Sequence, residues 1–150
     1  MALPMALPYV VARIQKVEEG RIFVLVGRIT NSPRKPYHGF IDLPGGKMET
    51  EEDKAETPEE CLRREIGEEL GRNVVRATLL DVFAHTGKRI LPNSTNRTPG
   101  LGICYLTKLD SDEIHPTEQE DVHWACVEEL KLLQNLMTPW CQYFLRDLLV

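Results

Sequence analysis

Two early runs, YVVARIQKV and RIFVLVGRI, are dense in β-branched and apolar residues and are split by EEG, which predicts two strands joined by a tight turn. TNSPRKPYHG, interrupted by Pro33 and Pro36, reads as a loop, and FIDLPGG as a short strand ending at a glycine pair. KMETEEDKAE has no apolar period and reads as a polar loop. The period then changes: Leu62, Ile66 and Leu70 recur at helical spacing. Thr57 suits the N-cap, Pro58 the first helical position, Glu60 completes a T-x-x-E capping box and Gly71 suits the residue past the end. Downstream, VVRATLLDVFAH reads as one or two strands, TGKRILPNSTNRTPG as a loop or hairpin connection and LGICYLTKL as a strand. DSDEIHPTEQED is a polar loop and VHWACVEEL a strand running into a helix start. PWCQYFLRDLLV has helical spacing at Trp140, Tyr143, Phe144 and Leu148.

The 150 residues suit one domain with a real core, and no linker divides them. MALPMALP is a tandem copy of four residues, so residues 1–8 read as a duplicated start or an expression scar and residues 9–150 as the folded domain. Nothing approaches the length of a membrane span or has the layout of a signal peptide, which points to a cytoplasmic protein without a membrane partner. Asn93 in NST matches a glycosylation pattern by chance on that reading. The net charge of −5 disfavours general nucleic-acid binding but leaves room for a nucleotide, which needs only a local basic patch. Cys61, Cys104, Cys126 and Cys141 lack metal-ligand spacing and read as reduced thiols. His38, His85, His115 and His123 have no ligand spacing either, and Trp124 and Trp140 read as core or pocket-wall residues.

Charge alters this picture in one place. Ten acids crowd between Glu49 and Glu69, and on the helix Glu65, Glu68 and Glu69 share an arc of about 100°. Like charges at these spacings repel by about 0.2–0.5 kcal/mol per pair. Either water bathes that face, or the three carboxylates form an oxygen-ligand set for a hard cation. Mg²⁺ binds few protein carboxylates and bridges to phosphates. Gly45 and Gly46 lie upstream at a strand end, where glycine lets backbone approach a ligand.

The string GGKMETEEDKAETPEECLRREIGEELG resembles the Nudix box, G-x5-E-x7-R-E-U-x-E-E-x-G-U, with U a bulky apolar residue. Glu56, Arg64, Glu65, Ile66, Glu68, Glu69 and Gly71 match in register. Three features depart from it: nine residues separate Gly46 from Glu56 where the family has five, Ala55 replaces a glycine, and Arg72 replaces an apolar residue. The resemblance implies an α/β fold, the Nudix-type α/β/α sandwich with a mixed central sheet. It implies Mg²⁺ as cofactor, with Mn²⁺ able to substitute, held by Glu68, Glu69 and the Gly46 carbonyl. Glu65 is a further ligand or the general base, and Arg64 orients carboxylates by pairing with a supporting Glu56. The family often adds an acid from a late loop, and PTEQEDVHW offers Glu118, Glu120 and Asp121, with Glu118 preferred for its spacing to Trp124. Arg28 resembles a phosphate-binding arginine and, with Gly45, is expected to touch substrate.

The implied reaction is hydrolysis of the diphosphate linkage in a nucleoside diphosphate joined to another group. A proline usual downstream of the box in ADP-ribose hydrolases is absent, with Gly87 and Lys88 near its place, and so is a tyrosine expected of dinucleoside polyphosphate hydrolases. A MutT-like nucleoside triphosphate pyrophosphohydrolase giving nucleoside monophosphate and pyrophosphate is the first choice. The alternatives are an ADP-sugar or other nucleotide-conjugate pyrophosphatase and a catalytically silent nucleotide-sensing module. A metal-buffering acidic protein is disfavoured by the capped helix. The expected partner is a small nucleotide, and a homodimer is one assembly left open.

Overall fold

The computed structural model describes residues 7–29, 37–85, 100–115 and 120–150. Strand β1 (Leu7–Glu18) is its spine. Its first half, Leu7 to Thr107's partner Ile14, runs parallel to β6 (Gly100–Leu109), and its second half, Gln15 to Glu18, pairs antiparallel with β2 (Arg21–Arg28). β2 continues to β3 (Ile41–Asp42) and β7 (Glu120–Cys126), while β6 continues to β5 (Val74–His85), all antiparallel. β4 (Gly45–Lys47) lies antiparallel on β1 at Tyr9–Val11. Among the described residues the result is a seven-stranded mixed sheet of order β3-β2-β1-β6-β5 with β4 and β7 off that path.

Period-two alternation along the central strands feeds two cores. Val10, Ala12 and Ile14 of β1 and Leu25 of β2 pack with Cys61, Leu62, Ile66 and Leu70 of helix α1 (Pro58–Leu70). Val11 of β1 and Val24 and Val26 of β2 pack on the other face. There they meet Leu130 of α2 (Val127–Leu133) and Cys141 and Phe144 of α3 (Pro139–Phe144). Helices therefore cover both faces, the α/β/α arrangement expected from the resemblance. All four cysteines are free thiols. Among the described residues no helix is long and apolar enough to cross a membrane.

Several local expectations need adjustment. FIDLPGG forms two short strands, and the glycine pair opens the second instead of ending the first. β1 begins at Leu7, two residues before the strand YVVARIQKV read from sequence, because Leu7 and Pro8 pair with Gly100 and Leu101. VVRATLLDVFAH is one strand with two irregularities, between Val74 and Arg76 and between Leu79 and Asp81. The C-terminal helix stops at Phe144, after which Leu148 and Leu149 donate to carbonyls three residues back, those of Leu145 and Arg146. Residues 30–36 and 86–99, with Pro33, Pro36, Gly87, Lys88 and Asn93, lie outside the described residues, as does Glu118.

Candidate active site on the acidic helix

α1 begins with the capping box anticipated from sequence. The Thr57 hydroxyl accepts from the Glu60 N–H at 3.2 Å, and the Glu60 carboxylate accepts from the Thr57 N–H at 3.1 Å. It ends at Gly71, whose φ of 63° suits a left-handed cap and whose N–H donates to the Gly67 carbonyl. Thirteen residues, fixed at both ends and buried along Leu62, Ile66 and Leu70, give a stiff platform for the glutamates.

Those glutamates are not a solvated fringe. Glu69 is 5% exposed, and its carboxylate accepts from the Gly45 N–H at 3.1 Å, which ties α1 to β4. The side chains of Glu65 and Glu56 are also largely enclosed, and Glu68 is the most open, with 47% of its side chain exposed. The Arg64 guanidinium sits among them. It makes a two-pronged pair with Glu56 (2.7 and 3.0 Å), reaches Glu65 at 2.9 Å and Glu68 at 3.3 Å, and donates to the Lys47 carbonyl at 3.1 Å. The repulsion inherent in the E-x-x-E-E spacing is therefore offset within the chain itself. Carboxylates still outnumber the guanidinium, so the cluster keeps a formal excess of negative oxygen donors.

The four extra residues of the box loop do not disturb this network. Glu49 donates its N–H to the Glu56 carboxylate at 2.9 Å, and the Glu56 N–H returns a bond to the Glu49 carbonyl at 3.3 Å. Thr50–Ala55 are looped out and exposed, and Glu56 re-enters in place for Arg64. The bond from Arg64 holds the Glu56 carboxyl down at about 2. A depressed carboxylate contributes stability that is complete above its unfolded value, near 4.5, and is lost as pH falls toward about 2. Wild-type melting temperature is expected to drop across that interval more steeply than that of Glu56→Gln; parallel acid limbs in the two proteins would show that the pair contributes nothing.

The two glycines have different tasks. Gly45 has φ 151°, and a Cβ there would land on the Val10 carbonyl oxygen of β1. At Gly46 a Cβ would instead strike the Glu65 carboxylate. Gly46 thus leaves backbone and carboxylate in direct contact, a cradle that any side chain would fill. Cys61 packs beneath, its thiol 3.6 Å from the Lys47 carbonyl and 3.8 Å from that of Gly46, and burial pushes it up to about 12.

The chemistry of this donor set fits a hard divalent cation: oxygens only, an excess of negative charge, and a glycine carbonyl strand alongside. Among the described residues no group of three or more His, Cys, Asp or Glu side chains is placed so that it could hold a metal ion by itself.

Arg28 lies apart from these contacts. Its guanidinium donates to the Gly39 carbonyl at 3.0 Å and approaches Asp121 at 3.7 Å, so the expected phosphate arginine meets one of the three late-loop acids. Asp121 holds a left-handed φ of 58°, uncommon outside glycine.

A second group of residues was not anticipated as a site. Asp42, at the end of β3, is buried with one carboxylate oxygen accepting from the Leu43 N–H (2.8 Å), the Trp140 indole N–H (2.8 Å) and the Thr138 hydroxyl (3.2 Å). Burial raises this acid to about 7 against the opposing pull of those donors. Around it Tyr9, Tyr37, His85 and Trp140 gather, with Tyr37 edge-on to Trp140 at 4.7 Å and His85 stacked on Trp140 at 6.2 Å. Gly102 makes room for the Tyr9 ring, since a Cβ there would come within 2.7 Å of it. The Tyr9 and Tyr37 hydroxyls are buried without a hydrogen-bond partner among the described residues. The sequence carried one trace of this group, an acid standing in the otherwise apolar run just before the glycine pair.

The NUDIX domain family profile matches residues 8–148. The chain belongs to the NUDIX family. A MutT NUDIX hydrolase from Burkholderia pseudomallei is 30% identical, with 93% of this chain and 96% of that one covered and a TM-score of 0.65. The NUDIX domain of Shewanella oneidensis NrtR, solved with ADP ribose, superposes with a TM-score of 0.73 over 99% of this chain and 91% of that one; at 18% identity the likeness is one of fold. An 8-oxo-dGTP diphosphatase from Proteus vulgaris is 47% identical over 58 residues, which are 38% of this NUDIX chain and 48% of that protein, so the matched stretch spans about half of the curated relative.

Proposed function

We propose that this NUDIX protein is a Mg²⁺-dependent hydrolase that cleaves the diphosphate linkage of a nucleoside diphosphate derivative, with a nucleoside triphosphate as first choice. The observation that carries this reading is the Arg64-centred carboxylate network docked on the Gly45–Gly46 strand. Glu65, Glu68, Glu69 and the Gly46 carbonyl would hold the metal, whose contribution when bound is to polarise phosphoryl oxygens and acidify water. Glu65, enclosed and held by Arg64, is the residue to take a proton from water. Glu56 keeps Arg64 in place, and Arg64 in turn fixes the carboxylate directions. Arg28 is assigned to phosphate, and Glu118 remains the candidate late-loop acid, although its side chain lies outside the described residues.

The Asp42 group supports the nucleotide part of the reading. Asp42 and Gly46 are four residues apart in sequence, so their backbone positions lie within about 14 Å of each other. Flat rings suit a base, and the unmatched Tyr9 and Tyr37 hydroxyls suit its polar edge. The 8-oxo-dGTP diphosphatase relative agrees with a purine triphosphate; a conjugate such as an ADP-linked sugar is the alternative substrate.

The test is a Mg²⁺ screen against nucleoside triphosphates, nucleotide sugars and dinucleotides, run in ¹⁸O-water with both products identified by mass. Nucleoside monophosphate plus pyrophosphate is expected from a triphosphate. Orthophosphate as the only labelled product, or cleavage at a sugar carbon, would contradict the proposal. Cleavage of a nucleotide sugar but of no triphosphate would keep the chemistry and overturn the substrate choice.

A further inference from the structure

β5 ends the sheet, and among the described residues no strand pairs with its outer side. It is twelve residues long and unusually apolar for an uncovered edge. Val75 is 59% exposed and Leu79 58%, with Leu80 and Val82 also exposed. Long edges of this kind are templates for pairing and are ordinarily blunted by charge, proline or brevity. β5 contains neither proline nor lysine, and its two charged residues, Arg76 and Asp81, carry opposite signs.

The pairing with β6 shows how these residues are distributed. Asp81 stands opposite Cys104, which faces α3, and Arg76 stands opposite Lys108, four positions on and hence on the same face. The salt bridge from Asp81 to Arg146, just beyond α3, agrees with that placement. Ala77, Leu79 and Val82 stand opposite Thr107, Tyr105 and Ile103, on the α1 face. Val75 and Leu80 are the extra residues at the two irregularities of the strand.

With those two residues set aside, antiparallel pairing of β5 with a second β5 about Thr78 brings the strand into register with itself. Arg76 then lies opposite Asp81 of the second copy on one face, twice by symmetry. On the other face Ala77 lies opposite Leu79 and Val74 opposite Val82. One rotation therefore pairs opposite charges, sets the exposed Leu79 and Val82 beside apolar partners and uses the open backbone groups. A two-fold of this kind is self-complementary and closed.

We propose that the partner of the β5 edge is a second copy of this chain, joined antiparallel about Thr78 into a continuous sheet, with Arg76 of each protomer bonded to Asp81 of the other. The arrangement makes a dimer and no higher assembly, because each protomer contributes its only β5 edge.

The test is sedimentation velocity on the full chain from low to high micromolar concentration, with circular dichroism confirming that each variant is folded. Wild type is expected to sediment as a dimer. Arg76→Asp places two acids opposite two acids, and Asp81→Arg places two bases opposite two bases, so each variant alone is expected to be monomeric. An equimolar mixture of the two variants restores attraction at both contacts and is expected to dimerise. A wild-type monomer throughout the range overturns the proposal, as does assembly beyond a dimer. Dimers that persist in both single variants place the interface elsewhere, and a mixture that stays monomeric refutes the register.

Discussion

Glu69→Gln is expected to lower turnover by roughly 10²–10³-fold, the range seen when one electrostatic stabiliser of a reacting centre is removed. The fold should survive, because the glutamine carbonyl can still accept from the Gly45 N–H that Glu69 now engages at 3.1 Å. The change removes charge and keeps shape. Glu68→Gln should act in the same direction with even less structural consequence, since its side chain is nearly half exposed and its known tie is to Arg64. Steady-state rates at saturating Mg²⁺, together with melting temperatures, check both. Turnover near the wild-type value in either variant would remove the carboxylate helix from the chemistry.

Gly45→Ala is expected to destabilise the protein by about 2–6 kcal/mol, which combines strain at a disallowed φ with overpacking against backbone. The obstacle at Gly45 is the Val10 carbonyl, in a strand that cannot step aside without breaking its pairing with β6. Against a total stability of about 5–15 kcal/mol such a loss is severe. Gly46→Ala provides the contrast, because there the obstacle is the Glu65 side chain. A carboxylate can rotate, so this variant should stay folded and lose activity. Urea midpoints and rates for the two variants separate the roles. A loss below about 1 kcal/mol for Gly45→Ala would show that β4 can part from β1 without cost.

Local signals in the chain were enough for α1. The cap, the proline, the apolar spacing and the terminal glycine each act within a few residues, so their reading did not depend on the rest of the fold. The strands were legible for the same reason, as short apolar runs between turn residues. The end of the C-terminal helix was not. Its spacing continued to Leu148, but the chain after Phe144 is drawn into turns that pack Leu148 and Leu149 against the core, and packing outweighed the period. The division of FIDLPGG was hidden as well, since β3 and β4 bind different partners, β2 and β1.

The site divides along the same line. Sequence alone determined which carboxylates share one face of α1 and how they match a spaced motif, because a helix converts spacing into direction without help from its surroundings. Only the tertiary structure decided that Arg64 stands among those carboxylates, that Glu49 and Glu56 close off the extra loop residues, and that Gly45 and Gly46 yield to backbone and carboxylate respectively. It also decided that Asp42, Tyr9, Tyr37 and Trp140 form one group, although up to 131 positions separate them. Contacts between distant segments arise when β1 threads the centre of the sheet and β3 and α3 close over one end of it, and no local pattern records which residues that closure brings together.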